Sequence, residues 1–207
     1  MPLPSALRRL VRLGRSLQRE RGFTREVLDL ARLPVGGHVL EIGCGRGALA
    51  LEMARWVGPK GVVRGVDPSM ERLAEGHERI VRAPEPRPQL DIARAEALPF
   101  EDGSFDRVLA VRAVHHMPLE VRGPAMREAY RVLAPGGEVL LVDFPPRADG
   151  APPSRLDRIE DRLSAWLDPT HGDPEPLEPL LEAAGFEGVE QGTLQKGRLR
   201  WARGRRP

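Results

Sequence analysis

A short segment near residue 40 combines an acidic side chain with three closely spaced glycines. The segment is residues 38–56, HVLEIGCGRGALALEMARW, in which Glu41 precedes Gly43, Gly45 and Gly47. Glycine weakens strands and helices, so glycine at every second position indicates a turn with unusual backbone angles or close contact with a ligand. An apolar run precedes the glycines and a helical pattern follows them. The sequence therefore predicts a strand, a ligand-binding turn and a helix.

Two classes of ligand fit such a turn, and the acidic residue separates them. Gly43, Gly45 and Ala48 match the pattern of a dinucleotide-binding turn. Asp67 follows about 20 residues later, where an acid that binds a ribose belongs. A dinucleotide would bring an anionic pyrophosphate to the turn, and the carboxylate of Glu41 would repel it. S-adenosylmethionine carries a cationic ammonium and a sulfonium instead, so the spacing E-x-G-x-G-x-G favours S-adenosylmethionine.

Two adjacent histidines are the candidates for proton transfer. They follow the fourth predicted strand, in AVRAVHHMP (residues 110–118). Methyl transfer from a sulfonium needs mainly alignment, and a base is required only when the acceptor must lose a proton. We expect His116, rather than His115, to be a base or a substrate contact; the alternative is that both are structural. His171 is a weaker candidate, and Cys44 is expected to be a packing residue rather than a nucleophile.

Composition excludes several classes of protein. The chain has 207 residues, 41% hydrophobic and 30% charged, which predicts one domain with an ordinary core. The formal net charge is only +2, so the chain is not a polycation. Cys44 is the only cysteine and fits a cytoplasmic location. No apolar run reaches the ~20 residues of a membrane span, and no metal is expected, because spacings such as CxxC and HExxH do not occur.

Strand and helix patterns alternate along most of the chain. This alternation predicts an α/β fold with a parallel sheet covered by helices on both faces. The predicted strands are 38–42, 61–67, 90–94, 104–114 and 138–144, followed by a closing antiparallel hairpin in 187–203. The predicted helices are 47–57, 69–82 with Ser69 as its N-cap, 120–133 ended by Pro135-Gly136-Gly137, and 176–186 ended by Gly185.

Two segments depart from this alternation. Residues 1–35 are predicted to form an N-terminal helical cap, and residues 36–207 the main domain. Residues 145–175 are rich in proline, arginine and aspartate and contain the amphipathic stretch RLDRIEDRLSAWL. We interpret them as a lid-like insertion whose apolar side, with Trp166, would line an acceptor pocket.

Five motifs in order resemble one known family. They are VLEIGCGRG, GVDPS, ARAEALPFEDGSFDRVLAVRAVHHM, REAYRVLAPGGEVLLVDF and LLEAAGFEGVE. Together they are similar to class I S-adenosylmethionine-dependent methyltransferases, and most similar to the ubiquinone and menaquinone C-methyltransferase branch, across residues 36–193. The resemblance implies a Rossmann-like sheet of seven strands with the last antiparallel, and a small-molecule acceptor.

The resemblance also implies a set of cofactor-binding residues. Glu41 would face the methionine ammonium, Asp67 both ribose hydroxyls, and Met70 the adenine. The full set comprises Glu41, Gly43, Cys44, Gly45, Gly47, Asp67, Pro68, Ser69, Met70, Ala95, Glu96 and Val111, with Arg112 also beside the methionine moiety.

One residue departs from the family pattern. Arg94 stands where the family commonly has an aspartate that binds the adenine amino group, and Glu96 could replace it.

Two alternatives stay open. The basic segment GRLRWARGRRP (197–207) and the Arg-rich N-terminus could dock RNA or a protein, in which case acceptor binding would weaken with salt. Arg94 could instead indicate a non-catalytic cofactor-binding domain. The sequence fixes neither the acceptor nor the oligomeric state.

Overall fold

Seven strands form one sheet with helices on both faces. The computed structural model describes residues 20–145 and 175–207. The strands are β1 (His38–Ile42), β2 (Val62–Asp67), β3 (Gln89–Ile92), β4 (Phe105–Val111), β5 (Leu133–Asp143), β6 (Glu187–Leu194) and β7 (Leu199–Arg205). The helices are α1 (20–31), α2 (Ala48–Val57), α3 (Met70–Val81), α4 (Leu119–Val132) and α5 (Leu177–Ala183).

The strand order is β3-β2-β1-β4-β5-β7-β6. Strands β1 to β5 are parallel, and β7 lies antiparallel to both β5 and β6. The predicted fold class, with its closing antiparallel hairpin, is confirmed. β1 pairs with β2 on one side and β4 on the other, so the strand order reverses at the carboxyl end of β1, where ligands bind in open sheets of this kind.

Alternate residues of the central strands enter two separate cores, because successive side chains of a strand point to opposite faces. Leu40 and Val108 belong to the core under α4 and α5, whereas Val39 and Leu109 belong to the core under α1, α2 and α3. All four side chains are fully buried. Burial on both faces explains why these strands are continuous apolar runs rather than alternating ones.

Helix α1 is part of the second core. Phe23, Val27, Leu28 and Ala31 are buried there with residues of α2. Residues 1–19 lie outside the described ranges. The division between an N-terminal helical cap (1–35) and the main domain (36–207) therefore stays a prediction.

The predicted element ends differ from the observed ones mainly around β4 and β5. β4 ends at Val111, and residues Val114–His116 form a 3-10 turn instead of continuing the strand. β5 begins at Leu133, which pairs with Phe105, so the Pro-Gly-Gly sequence lies inside the strand. Gly136 accommodates this path with a φ of 79°. The helix therefore ends because the next strand begins, and not because of the glycines.

The proposed lid lies outside the described ranges. Residues 146–174, including Trp166 and His171, are not among those that the structure describes. Within residues 20–145 and 175–207, no helix has both the length and the apolar character needed to cross a membrane.

Candidate functional site

The turn after β1 owes its three glycines to two different causes. Gly43, Gly45 and Gly47 all adopt left-handed backbone angles, with φ of 73°, 52° and 65°. A Cβ on Gly43 would lie 2.5 Å from the Cβ of Ala113, and one on Gly47 would lie 2.8 Å from Leu90. A Cβ on Gly45 would have nothing within 4 Å among the described residues. Close contacts thus oppose a side chain at Gly43, and less strongly at Gly47, where the end of the flexible Leu90 side chain could shift. Gly45 has space beside it that a ligand could occupy.

Asp67 connects this turn to the end of β2. Its side chain is buried, and its Oδ2 accepts a hydrogen bond from the Gly45 N–H at 2.9 Å. Its Oδ1 accepts one from the Ser69 N–H, also at 2.9 Å. Ser69, as predicted, is the N-cap of α3 and accepts a hydrogen bond from the Arg72 N–H at 3.3 Å. A carboxylate has about four acceptor positions, so Asp67 retains capacity for two further donors.

Glu41 lies in the middle of the sheet with a buried carboxyl group. Only 3% of the residue is exposed, and its neighbours across the sheet are Gly65 and Leu109. Its Oε2 is buried and has no hydrogen-bond partner among the described residues. Burial, reinforced by the charge of Asp67, raises the pKa of Glu41 to about 8, although the Ala50 N–H opposes the shift. A buried carboxyl of this kind is stabilised by a cation brought to it.

Cys44 is a packing residue of the same turn. Its side chain is buried against β2, where a Cβ on Gly65 would lie 2.9 Å from the Cys44 sulfur. Burial, followed by the charges of Glu41 and Asp67, raises the pKa of the thiol. The thiolate is therefore disfavoured, and nucleophilic chemistry at Cys44 is not supported.

Val111 and Arg112 form the carboxyl end of β4 beside this turn. Val111 is buried, and Arg112 has a left-handed φ of 53°. The Arg112 N–H donates to the Val142 carbonyl at 2.7 Å, and the guanidinium carbon lies 4.9 Å from the centre of the Phe23 ring. The β4 end thus contacts both β5 and α1.

The segment after β3 carries the departure noted in the sequence. Arg94 is exposed and forms an ion pair with Glu96. Glu96 is therefore already engaged, and not simply available in place of the missing aspartate. Met70, the first residue of α3, is 72% exposed, and Ile92, the last residue of β3, is 58% exposed. Apolar surface is therefore available there for an aromatic ring. Ala95 is half-buried and Pro68 is exposed in the same region.

A histidine–aspartate pair lies at the ends of β4 and β5. His115 Nδ1 lies 2.6 Å from Asp143 Oδ1, and the His115 N–H donates to Asp143 Oδ2 at 3.0 Å. Both side chains are buried. The ring of Phe144 lies edge-on to His115 with centroids 5.0 Å apart. Asp143 thus holds His115 by both its backbone and its ring.

His116 lies directly beside this pair. Its half-buried ring is tilted against that of His115, with centroids 3.9 Å apart. The contact with Asp143 can fix the tautomer of His115. The prediction that His116 is a base or a substrate contact stays a prediction.

The pair lines a small recess between β5, β7, α4 and α5. Its walls include His115, Arg122, Asp143, Phe144, Glu175 and Arg200. Arg122 is fully buried and lies 3.2 Å from Glu175, and the Arg200 Nε donates to the Phe144 carbonyl at 3.0 Å. Burial lowers the pKa of Arg200.

Asp143 is the residue that sequence reasoning missed. It follows the buried run EVLLV and ends β5. An acidic residue at the carboxyl end of a buried strand is a sequence signal that could have identified Asp143 as a candidate site residue. No such signal marks Arg122 and Arg200, because they reach the recess only through the packing of α4 and β7.

Comparisons with known proteins agree with this architecture. A family described as a methyltransferase domain matches residues 39–137. Demethylmenaquinone methyltransferase of Listeria monocytogenes serotype 4a is 35% identical over 121 residues, which are 58% of this chain and 50% of that protein. The ubiquinone/menaquinone biosynthesis C-methyltransferase UbiE of Geobacter sulfurreducens is 33% identical over 138 residues, 66% of this chain and 51% of that protein. The chain spans about half the length of these curated relatives.

Solved structures share the fold at lower sequence identity. YcgJ from Bacillus subtilis superposes with a TM-score of 0.68 at 21% identity, covering 88% of this chain and 97% of that one. Phosphoethanolamine N-methyltransferase 2 of Haemonchus contortus, solved in complex with S-adenosylmethionine, gives a TM-score of 0.72 at 18% identity, covering 90% of this chain and 52% of that one. Residues 39–137 of this chain thus match a methyltransferase-domain family, and the chain shares the fold of these solved structures.

Proposed function

We propose that this protein transfers a methyl group from S-adenosylmethionine to a small-molecule acceptor. The observation that carries the proposal is the buried carboxyl of Glu41, whose Oε2 has no partner among the described residues. A dinucleotide would bring phosphates toward this acid, whereas S-adenosylmethionine brings an ammonium. The residues at the carboxyl ends of β1 and β2 thus fit the cofactor.

Three residues would hold the cofactor in complementary ways. Glu41 would accept the ammonium of the methionine moiety. Asp67 would accept hydrogen bonds from the ribose hydroxyls while retaining its bonds to the Gly45 and Ser69 amides. Gly45 would leave room for the ligand beside the backbone. We keep Met70 and the Ala95 amide as proposed contacts of the adenine.

When bound, S-adenosylmethionine supplies an electrophilic methyl group on a sulfonium. The chain's own contribution is to align the acceptor and exclude water, which can be worth up to about 7–11 kcal/mol. Where the acceptor must lose a proton, we propose that His115 accepts it. If the Nδ1–H of His115 is donated to Asp143, the acceptor lone pair of the ring lies on Nε2.

The class of acceptor that we propose is based on the names of the curated relatives. One is a demethylmenaquinone methyltransferase, and another is a C-methyltransferase of ubiquinone and menaquinone biosynthesis. We therefore propose a small hydroxylated organic acceptor, of the kind that these names indicate.

The RNA or protein alternative depends on the basic segment 197–207. In the structure, Arg203 is buried and bonds to the Leu30 carbonyl and to Glu190. Arg206 donates hydrogen bonds to carbonyls at the end of α4. These arginines support the fold, which favours the small acceptor over the macromolecular one.

Calorimetric titration with S-adenosylmethionine tests the cofactor assignment. The wild-type protein should bind it, and Asp67→Asn should weaken binding at least tenfold, or about 1.4 kcal/mol, because two charge-assisted hydrogen bonds to the ribose are weakened. Asp29→Asn, at an exposed position on α1, is the matched control and should leave binding unchanged. Equal binding by wild type and Asp67→Asn would contradict the assignment.

Transfer of a labelled methyl group then tests the acceptor class. Demethylmenaquinol and other hydroxylated small molecules are compared with RNA and protein. Label in a small molecule supports the proposal, and label only in RNA or protein overturns it. Cofactor binding with no transfer to any of these acceptors would favour the non-catalytic alternative.

A further inference from the structure

Arg112 has an unusual backbone conformation at the edge of the proposed cofactor site. Its φ of 53° lies in the left-handed region, which residues other than glycine adopt rarely. The conformation is maintained by the 2.7 Å hydrogen bond from the Arg112 N–H to the Val142 carbonyl. Such backbone strain is concentrated at functional sites, where it directs a side chain to a required position.

Among the described residues, the guanidinium of Arg112 contacts an aromatic ring. It lies over the Phe23 ring, with 4.9 Å from its central carbon to the ring centroid. Within residues 20–145 and 175–207 it forms no ion pair and no side-chain hydrogen bond. Its hydrogen-bond donors, which suit a carboxylate in a bidentate arrangement, are therefore available.

Glu41 provides the opposite charge nearby. Arg112 lies close enough for its positive charge to lower the pKa of Glu41, against the larger effect of burial. The two side chains nevertheless do not pair with each other, and Glu41 keeps a buried oxygen without a partner among the described residues. Arg112 and Glu41 thus offer a guanidinium and a carboxyl group that are not paired with each other. These two groups match the carboxylate and the ammonium of an α-amino acid.

We propose that Arg112 binds the α-carboxylate of the cofactor's methionine moiety, while Glu41 binds its ammonium. The inference rests on the proposed function, because it concerns the same cofactor. Arg112 would be a specificity residue that distinguishes S-adenosylmethionine from analogues without a carboxylate. Phe23 of α1 would orient the guanidinium for this contact.

Binding of two ligands to the full chain tests the proposal. The ligands are S-adenosylmethionine and decarboxylated S-adenosylmethionine, which keeps the ammonium and the sulfonium. The wild type should bind the decarboxylated analogue at least about tenfold more weakly. Arg112→Gln should weaken the binding of S-adenosylmethionine by a similar factor. It should leave the affinity for the analogue within about twofold of the wild-type value, so that the preference for S-adenosylmethionine disappears.

Arg32→Gln is the matched control. Arg32 is also an exposed arginine with a positive φ, 47°, but it follows α1 at the amino-end edge of the sheet. It should keep the wild-type preference. Arg112→Asn is a second variant, because asparagine tolerates the left-handed conformation well.

The outcomes separate the two proposals. Equal binding of both ligands by the wild type, or an equal loss of both in the Arg112 variants, would overturn the role of Arg112 alone. Binding of neither ligand by the wild type would overturn the proposed function and this inference with it. Loss of the preference in both Arg112 variants, with melting temperatures close to wild type, would support it.

Discussion

At the scale of single residues, Glu41 represents a conflict between stability and binding. Burial without a neighbouring cation disfavours the charged form of a carboxyl group. The pKa of Glu41 in the folded protein is therefore raised to about 8, against 4.5 for an unperturbed glutamate. The unfolded chain loses that proton at lower pH. Between these values the folded state binds more protons than the unfolded state, and stability therefore falls as pH rises.

We predict that Glu41→Gln removes this fall in folding stability with rising pH. Without cofactor, the variant should gain stability relative to wild type as pH rises from about 4.5 to 8, by about 2–5 kcal/mol in total, and the gain should then level off. Denaturant unfolding at pH 5, 7 and 9 measures it. Glu52→Gln, at an exposed position on α2, should show no such gain. Parallel stability curves for wild type and Glu41→Gln would refute the prediction.

At the scale of elements, the β1–α2 turn contains two glycines that the described residues enclose and one that they do not. Gly43 is enclosed by Ala113, whose backbone belongs to the segment after β4, and Gly47 by Leu90 of β3. Only Gly45 has open space at the position of a side chain. Three residues of the same type in one motif thus have different consequences when they are changed.

We expect Gly43→Ala and Gly45→Ala to fail in different ways. Gly43→Ala should destabilise the fold by more than about 2 kcal/mol, because strain in the left-handed region adds to a clash with Ala113. Gly45→Ala should cost only about 1–2 kcal/mol of strain but should weaken cofactor binding markedly. Thermal unfolding and calorimetric titration of both variants measure the two effects. Similar losses of both quantities in the two variants would be the contrary result.

Local patterns predict the sheet and indicate which residues are candidates for holding a cofactor, but they do not indicate the histidine–aspartate pair. Glu41 and Asp67 lie at fixed spacings around the glycine turn, so the short segment that carries them is sufficient. The choice between His115 and His116 depends on Asp143, which lies on another strand. Likewise, the contact of Phe23 with Arg112 depends on where α1 packs. Neither contact is encoded within one element, and both arise from tertiary packing.

At the scale of the whole molecule, the basic segment 197–207 contributes to stability. Arg206 donates to the carbonyls of Tyr130 and Arg131 at 3.2 and 2.9 Å, and also to that of Leu133. Its guanidinium carbon lies 4.9 Å from the centre of the Tyr130 ring. The side chain thereby satisfies carbonyls at the end of α4, where a helix lacks partners of its own.

We predict that Arg206→Ala lowers the free energy of unfolding by about 1–3 kcal/mol, because carbonyl groups lose their donors. Arg198→Ala, in the same basic segment but exposed, should change it by less than about 0.5 kcal/mol. Urea denaturation of the two variants gives the comparison. If the two substitutions cost the same, the basic charge of the segment, rather than these contacts, determines its contribution.

The strand order β5-β7-β6 has a consequence for synthesis on the ribosome. Among the described strands, β6 pairs only with β7, and β7 also covers the outer edge of β5. Residues Leu140, Leu141 and Val142 of β5 are almost fully buried in the folded protein. A nascent chain that has emerged only as far as residue 194 has an uncovered apolar strand edge and a strand with no neighbour. Until residues 199–205 leave the exit tunnel, this intermediate is open to edge-to-edge association with other chains and to capture by chaperones.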